Sequence, residues 1–137
     1  MRNIKFRGLT LENKWIYGSL ITTTDFIKHM PYCHSKYWIS QSSFGNGGWF
    51  NIKKVKSVKE ATIGQFTGLY DMLDKEMYEG DICSDMYGNN CLITWCNVSA
   101  CFYYRYSNGD GLGLDEFEVV DVIGNIHQHP NLAKEFN

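Results

Sequence analysis

Thr67-Gly68-Leu69-Tyr70-Asp71, followed after a short polar interval by Met77-Tyr78-Glu79-Gly80-Asp81-Ile82, is the stretch on which the reading of this fold turns. Gly68 and Gly80 bracket a polar turn from Asp71 to Glu76, and the apolar Met77 and Ile82 resume an extended chain after it. A hairpin is therefore expected at the centre of the chain.

Working outward from that hairpin, few segments have a helical period. Lys5-Phe6-Arg7 and Trp15 to Leu20 read as strands flanking a turn from Thr10 to Lys14, and Tyr37 to Ser40 is a further strand. Ser42 to Gly48 reads as a loop before Trp49-Phe50-Asn51-Ile52. On the C-terminal side, Gly80 to Ser84, Cys91 to Trp95, Ala100 to Tyr106 and Phe117 to Ile123 read as strands. They are separated by a turn at Tyr87 to Asn90 and a glycine-rich loop from Ser107 to Gly113. Short strands at this spacing, closed by tight turns, suit a small, partly open β-barrel. Pro130 to Phe136 is expected to form a short helical turn, with Pro130 at its first position and His129 before it as a weak cap.

The chain has 137 residues, 44% of them hydrophobic and 15% aromatic, enough for one compact domain or two small ones. No run of 18 apolar residues is present and the first residues lack the apolar stretch of a signal peptide, so the expected location is the cytoplasm, away from membranes. Cys33, Cys83, Cys91, Cys96 and Cys101 form an odd set without a CxxC pair, which points to free thiols, most of them buried.

Net charge is -2, but it is unevenly distributed. Residues 1–62 carry ten Lys/Arg against three acids, a net of +7, whereas residues 63–137 carry three against twelve, a net of -9. The composition shift places a boundary between a basic β-rich region (1–62) and an acidic one (63–137) that holds the barrel. Such asymmetry serves either mutual neutralisation, within or between subunits, or an anion-binding face; the first is the preferred expectation.

The central stretch resembles the YopX family, small proteins of phages and prophages. Ile4-Lys5-Phe6-Arg7-Gly8 near the start and Val122-Ile123-Gly124-Asn125-Ile126 near the end, with Pro130-Asn131-Leu132 beyond, extend the resemblance over nearly the whole chain. The resemblance implies a Src-homology-like barrel in the C-terminal part and no particular activity, cofactor or metal site. Two positions depart from the family pattern: His129 stands where Asn is common, and Asp71-Met72-Leu73-Asp74 replaces an Asp-x-x-Gly turn. Asp tolerates the left-handed conformation better than most residues, so the turn is expected to survive with an exposed Met72-Leu73 tip, either a local staple against the barrel, which is the preferred expectation, or a small sticky contact.

Candidate chemistry is sparse. His127 and His129 would share a face if they lay on a strand, yet neither the cysteines nor Cys33-His34 with His29 supply further ligands at a zinc-site spacing. Cys33 with His34, and Cys96 with His127, are thiol–imidazole pairs of a kind that any chain with five cysteines and four histidines contains. Glu79/Asp81 and Asp115/Glu116 lie at turns and strand starts, where acids ordinarily meet solvent. Gly109 to Gly113 lacks the Lys-Ser/Thr and helix of a phosphate loop. An enzyme is not expected, nor a cofactor.

Lys53, Lys54, Lys56 and Lys59 follow Trp49 and Phe50, the cation-plus-aromatic combination of single-strand nucleic-acid grooves. The strand pattern thus predicts an all-β or mainly β protein, and the family resemblance implies a phage or prophage accessory protein. Its expected role is as a protein-interaction module, binding a protein partner or itself. The alternative is a nucleic-acid-binding accessory protein that uses those six residues.

Overall fold

The computed structural model describes residues 3–22, 36–41, 55–114 and 119–136. Among the described residues it is mainly β, with antiparallel sheets and one short helix. The chain divides into two compact units, Met1–Gln65 and Phe66–Asn137. Among the described residues no helix is long and apolar enough to cross a membrane.

In the first unit β1 (Phe6–Leu9) and β2 (Trp15–Thr22) form the expected hairpin, with Arg7 opposite Tyr17 and Leu9 opposite Trp15. β3 (Tyr37–Ser40) pairs with β2, and β4 (Val55–Ser57) with β3. The first two residues of β5 (Gly64–Tyr70) pair with β1. Alternation along β1, β2 and β3 sends one set of side chains inward, so that Ile16, Ile39 and Val58 form a core with Phe6, Leu20, Tyr37 and Ile63. A 3-10 turn, Glu60–Thr62, laces to the end of β1. The Leu9 amide donates to Thr62 Oγ1 at 2.9 Å, and the Lys59 amide donates to the Leu9 carbonyl at 2.9 Å.

In the second unit the end of β5 pairs with β6 (Glu76–Tyr78). A five-stranded antiparallel sheet follows, in the order β10-β9-β8-β7-β11. Its strands are β7 (Asp81–Asp85), β8 (Asn90–Cys96), β9 (Cys101–Tyr106), β10 (Gly111–Gly113) and β11 (Val120–Asn125). One face buries Met77, Cys83, Cys91, Ile93, Phe102 and Tyr104. The other face is covered by α1 (Pro130–Ala133) and a 3-10 turn (Lys134–Phe136), which set Phe136 and Leu132 against Ile82 and Leu92. Both faces being occupied explains why adjacent side chains are buried in β7, Ile82 with Cys83, and in β8, Cys91 to Ile93. Among the described residues these pairings leave β10 and β11 at the sheet edges, so the sheet is open, without barrel closure.

Four hairpins among the described residues share one turn. In Thr10–Lys14, Asp71–Lys75, Asp85–Asn89 and Tyr106–Asp110 the first residue's amide donates to the fifth residue's carbonyl, and its carbonyl accepts from the fourth residue's amide, all at 2.9–3.1 Å. The fourth residues, Asn13, Asp74, Gly88 and Gly109, have φ of 59°, 59°, 81° and 89°. This is the three-residue loop in which a type I turn is followed by a left-handed residue and a bulge. Asp74 takes that position as the sequence predicts.

Family-like residues of the central and C-terminal segments meet at one junction. Gly80, at φ +84°, donates to the Ile93 carbonyl at 2.9 Å and accepts from the Ile126 amide at 3.0 Å, tying β8 to the turn after β11. Asp81 is almost fully buried, and its Oδ2 accepts from the Tyr78 amide at 2.8 Å. Asn125, opposite Asp81, accepts the His127 and Gln128 amides on Oδ1 at 3.1 and 3.0 Å. At Gly124, beside a bulge in β11, a Cβ would press on the His129 ring and Leu132 at 3.0 Å, so its absence lets α1 lie close.

Several expectations are corrected. Asp81 is a buried hydrogen-bond acceptor, because the buried Tyr78 amide at the end of β6 needs a partner where the chain turns into β7. Gly111 to Gly113, read as loop, pair with β9 as β10. Among the described cysteines only Cys83 and Cys91 are buried, while Cys96 is half-buried and Cys101 exposed. His129 forms no side-chain cap on α1, since its Nδ1 accepts the Asn125 amide at 3.1 Å. The Ser42–Gly48 loop, Trp49 to Ile52, Asp115/Glu116 and Cys33, His34 and His29 lie outside the described residues.

Candidate interaction surface

The central hairpin is built around Asp71. Its Oδ1 accepts the Leu73 and Lys75 amides at 2.9 and 2.8 Å, and its Oδ2 accepts the Val122 amide at 3.1 Å. The Met72 amide donates to the Val120 carbonyl at 3.2 Å and Lys75 Nζ to the Val122 carbonyl at 3.3 Å. The turn therefore covers part of the β11 edge, removing bare ladder groups that would invite unplanned strand pairing.

With its backbone committed in this way, the hairpin turns its apolar side chains outward. Leu73 is 80% exposed, Met72 57%, Tyr70 54% and Leu69 42%. The expectation of a tip stapled to the sheet is thus overturned: the carboxylate and the backbone make the attachment, and the side chains are left in solvent. Burial alone would raise the Asp71 carboxyl, but the Lys75, Val122 and Leu73 amides and the Lys75 ammonium outweigh it and hold the group below its ordinary value. The tip is a rigid presentation of hydrophobic groups.

The basic cluster is less well assembled. Lys53, Lys54, Trp49 and Phe50 lie outside the described residues. Lys56 is exposed on β4, whereas Lys59 is half-buried and donates to Asn13 Oδ1 at 2.6 Å. Lys59 thereby fixes the β1–β2 turn. Cations do meet aromatic rings elsewhere in this unit, Arg7 at 4.7 Å from the Trp15 ring centre and Lys5 at 5.7 Å from that of Tyr17. Sequence reading missed these pairs although hairpin register was their signal: residues diagonal across two strands come within reach.

The histidine pair does not lie on a strand. β11 ends at Asn125 and residues 126–128 form a turn, so alternation no longer aligns His127 with His129. Among the described residues no group of three or more His, Cys, Asp or Glu is placed to hold a metal ion. A cleft of about 690 Å³ is lined by Asp85, Asn90, Tyr106, Asp110 and Glu135. Its acids serve turns: Asp85 Oδ1 accepts the Tyr87 and Asn89 amides, Asp110 Oδ2 accepts Asn108 Nδ2, and Glu135 Oε2 accepts Asn90 Nδ2. Burial and the neighbouring Cys91 and Asp85 push the Tyr106 phenol up to about 12, leaving it protonated at neutral pH. These groups do not form a nucleophile with an adjacent base.

The described architecture is that of a two-unit antiparallel β-protein whose distinctive sequence motifs hold turns and junctions together. The chain belongs to the YopX family, described as YopX protein, which it matches over residues 5–134. Its fold is similar to the crystal structure of protein EF1440 from Enterococcus faecalis, with a TM-score of 0.54 and 21% identity over 96% of this chain and 99% of that one. At that identity the likeness is one of fold. No curated protein matches the chain.

Proposed function

We propose that this chain is an accessory protein of a phage or prophage that acts in the bacterial host cytoplasm as a protein-interaction module, without catalysis of its own. The carrying observation is the central hairpin tip, where Leu69, Tyr70, Met72 and Leu73 are exposed on a turn fastened by three bonds to one carboxylate. A turn whose backbone is already fixed loses little freedom on association, and exposed apolar groups upon it favour a contact surface. The small-barrel reading of this unit draws support from the same turn, whose cover over the β11 edge is the arrangement that a partly open barrel uses.

Capture on immobilised protein from infected-host extract, with and without nuclease, tests the proposal. A protein retained equally in both arms is expected; retention that vanishes with nuclease contradicts it.

A second reading, nucleic-acid binding by the basic unit, is favoured by the Lys5/Tyr17 stack, whose ring is exposed, and by exposed Lys56. Fluorescence anisotropy with single-stranded DNA and RNA separates the two. The interaction-module reading expects no micromolar binding at 0.15 M salt; binding that falls steeply with salt supports the alternative.

A further inference from the structure

Four of the five cysteines stand in two cross-strand pairs. Cys83 lies opposite Cys91 on β7 and β8, and Cys96 lies opposite Cys101 where β8 and β9 meet their connecting turn. Directly opposed residues in an antiparallel pair point to the same face of the sheet with Cα atoms about 4.5–5.5 Å apart, within the roughly 4.4–6.8 Å that a disulfide spans. The two pairs differ in access. Cys83 and Cys91 are wholly buried, and the Cys91 thiol donates to the Cys83 carbonyl at 3.6 Å. Cys96 is half-buried and Cys101 exposed.

We propose that Cys96 and Cys101 form a reversible, intramolecular disulfide site that reacts with low-molecular-weight disulfides. The adjacent pair, Trp95 opposite Phe102, confirms that the register is kept to the end of the hairpin, since the two rings pack edge to face with centres 4.9 Å apart. Cys96 is the attacking thiol. The Ser99 amide donates to its sulfur at 3.4 Å, and this bond, with the Ser99 side chain and the Val98 amide, lowers its pKa and favours the thiolate.

The Cys96 thiolate attacks one sulfur of the small disulfide and displaces one thiolate, leaving a mixed disulfide. Cys101, after giving its proton to solvent, attacks the Cys96 sulfur and displaces the second thiolate. Two protein thiols are oxidised and one small disulfide is reduced to two thiols. In a directly opposed pair the Cβ atoms lie about 4.5–5.5 Å apart, beyond the ~3.8 Å mean of disulfides, so the bond carries strain and is readily reduced again. Cys83 and Cys91 take no part in the folded protein, because burial excludes the reagent, and the side-chain hydrogen bond with Cys91, together with burial, pushes the Cys83 thiol up.

The test uses the full chain with Cys33→Ser, equilibrated in glutathione redox buffers, quenched with acid, alkylated and mapped by peptide mass spectrometry, with folding checked by circular dichroism. The expected product is a Cys96–Cys101 bond, with Cys83 and Cys91 alkylated only after unfolding. Adding Cys101→Ser is expected to leave Cys96 as a stable glutathione adduct. Adding Cys96→Ser instead is expected to slow adduct formation at Cys101 at least tenfold. A glutathione adduct persisting on Cys96 when Cys101 is present, or equal adduct rates at the two single cysteines, would overturn the proposal.

Discussion

At Asp71 a single carboxylate organises a hairpin, because an oxygen that accepts two amides fixes the turn and the second oxygen, bonded to Val122, fixes where the turn lies. Asp71→Ala leaves three amides without that acceptor and is expected to cost about 2–3 kcal/mol, read as a lower urea midpoint. The native carboxyl lies below its ordinary value of 3.8, so its stabilisation is present above that value and lost as pH falls through the lower native one. Asp85 behaves alike: burial opposes, and the Asn89 amide and side chain, the Tyr87 amide and the Tyr106 hydroxyl prevail. Urea midpoints are therefore expected to fall as pH drops below about 4, with a shallower fall in Asp71→Asn; a pH-independent midpoint from 5 to 2.5 would contradict this. Ala100, at φ +50°, closes the β8–β9 turn in a conformation that Gly adopts without steric cost. Ala100→Gly is expected to raise stability by about 0.5–1 kcal/mol, measured as an upward shift in Tm.

The elements were legible in the sequence where turn chemistry is strong. Asp85 with Gly88, Tyr106 with Gly109 and Thr10 with Asn13 announce their hairpins, and the flanking apolar and aromatic residues announce the strands. The first half of β5 was hidden because Gly64 opens it, and β10 because two of its three residues are glycine. Both are held by ladder bonds to stronger neighbours, information that is absent from a local window. The burial of Asp81 was illegible for a related reason: its partner is a backbone amide, which any residue supplies. Gly80 and Gly124 make the junction testable. Gly80→Val forces a β-branched residue to φ +84°, and Gly124→Val drives a side chain into the His129 ring and Leu132, each at an expected cost of about 1–3 kcal/mol. Unchanged Tm in both variants would refute the role assigned to this junction.

For the whole molecule, charge and apolar surface are the features that bear on partners. The net of +7 over residues 1–62 and -9 over residues 63–137 was readable from composition, as was the presence of Met72 and Leu73 in a turn. Their outward orientation was not, because it follows from Asp71 bonding to Val122, a residue 51 positions away. The proposed contact with a partner protein is this tip. It is tested most directly by measuring, after nuclease treatment, how much partner protein is retained by the wild-type chain and by Met72→Asp/Leu73→Asp. Equal Tm for the two chains and at least a tenfold loss of retention in the variant are the expected result; undiminished retention by a variant that is still folded would contradict the claim.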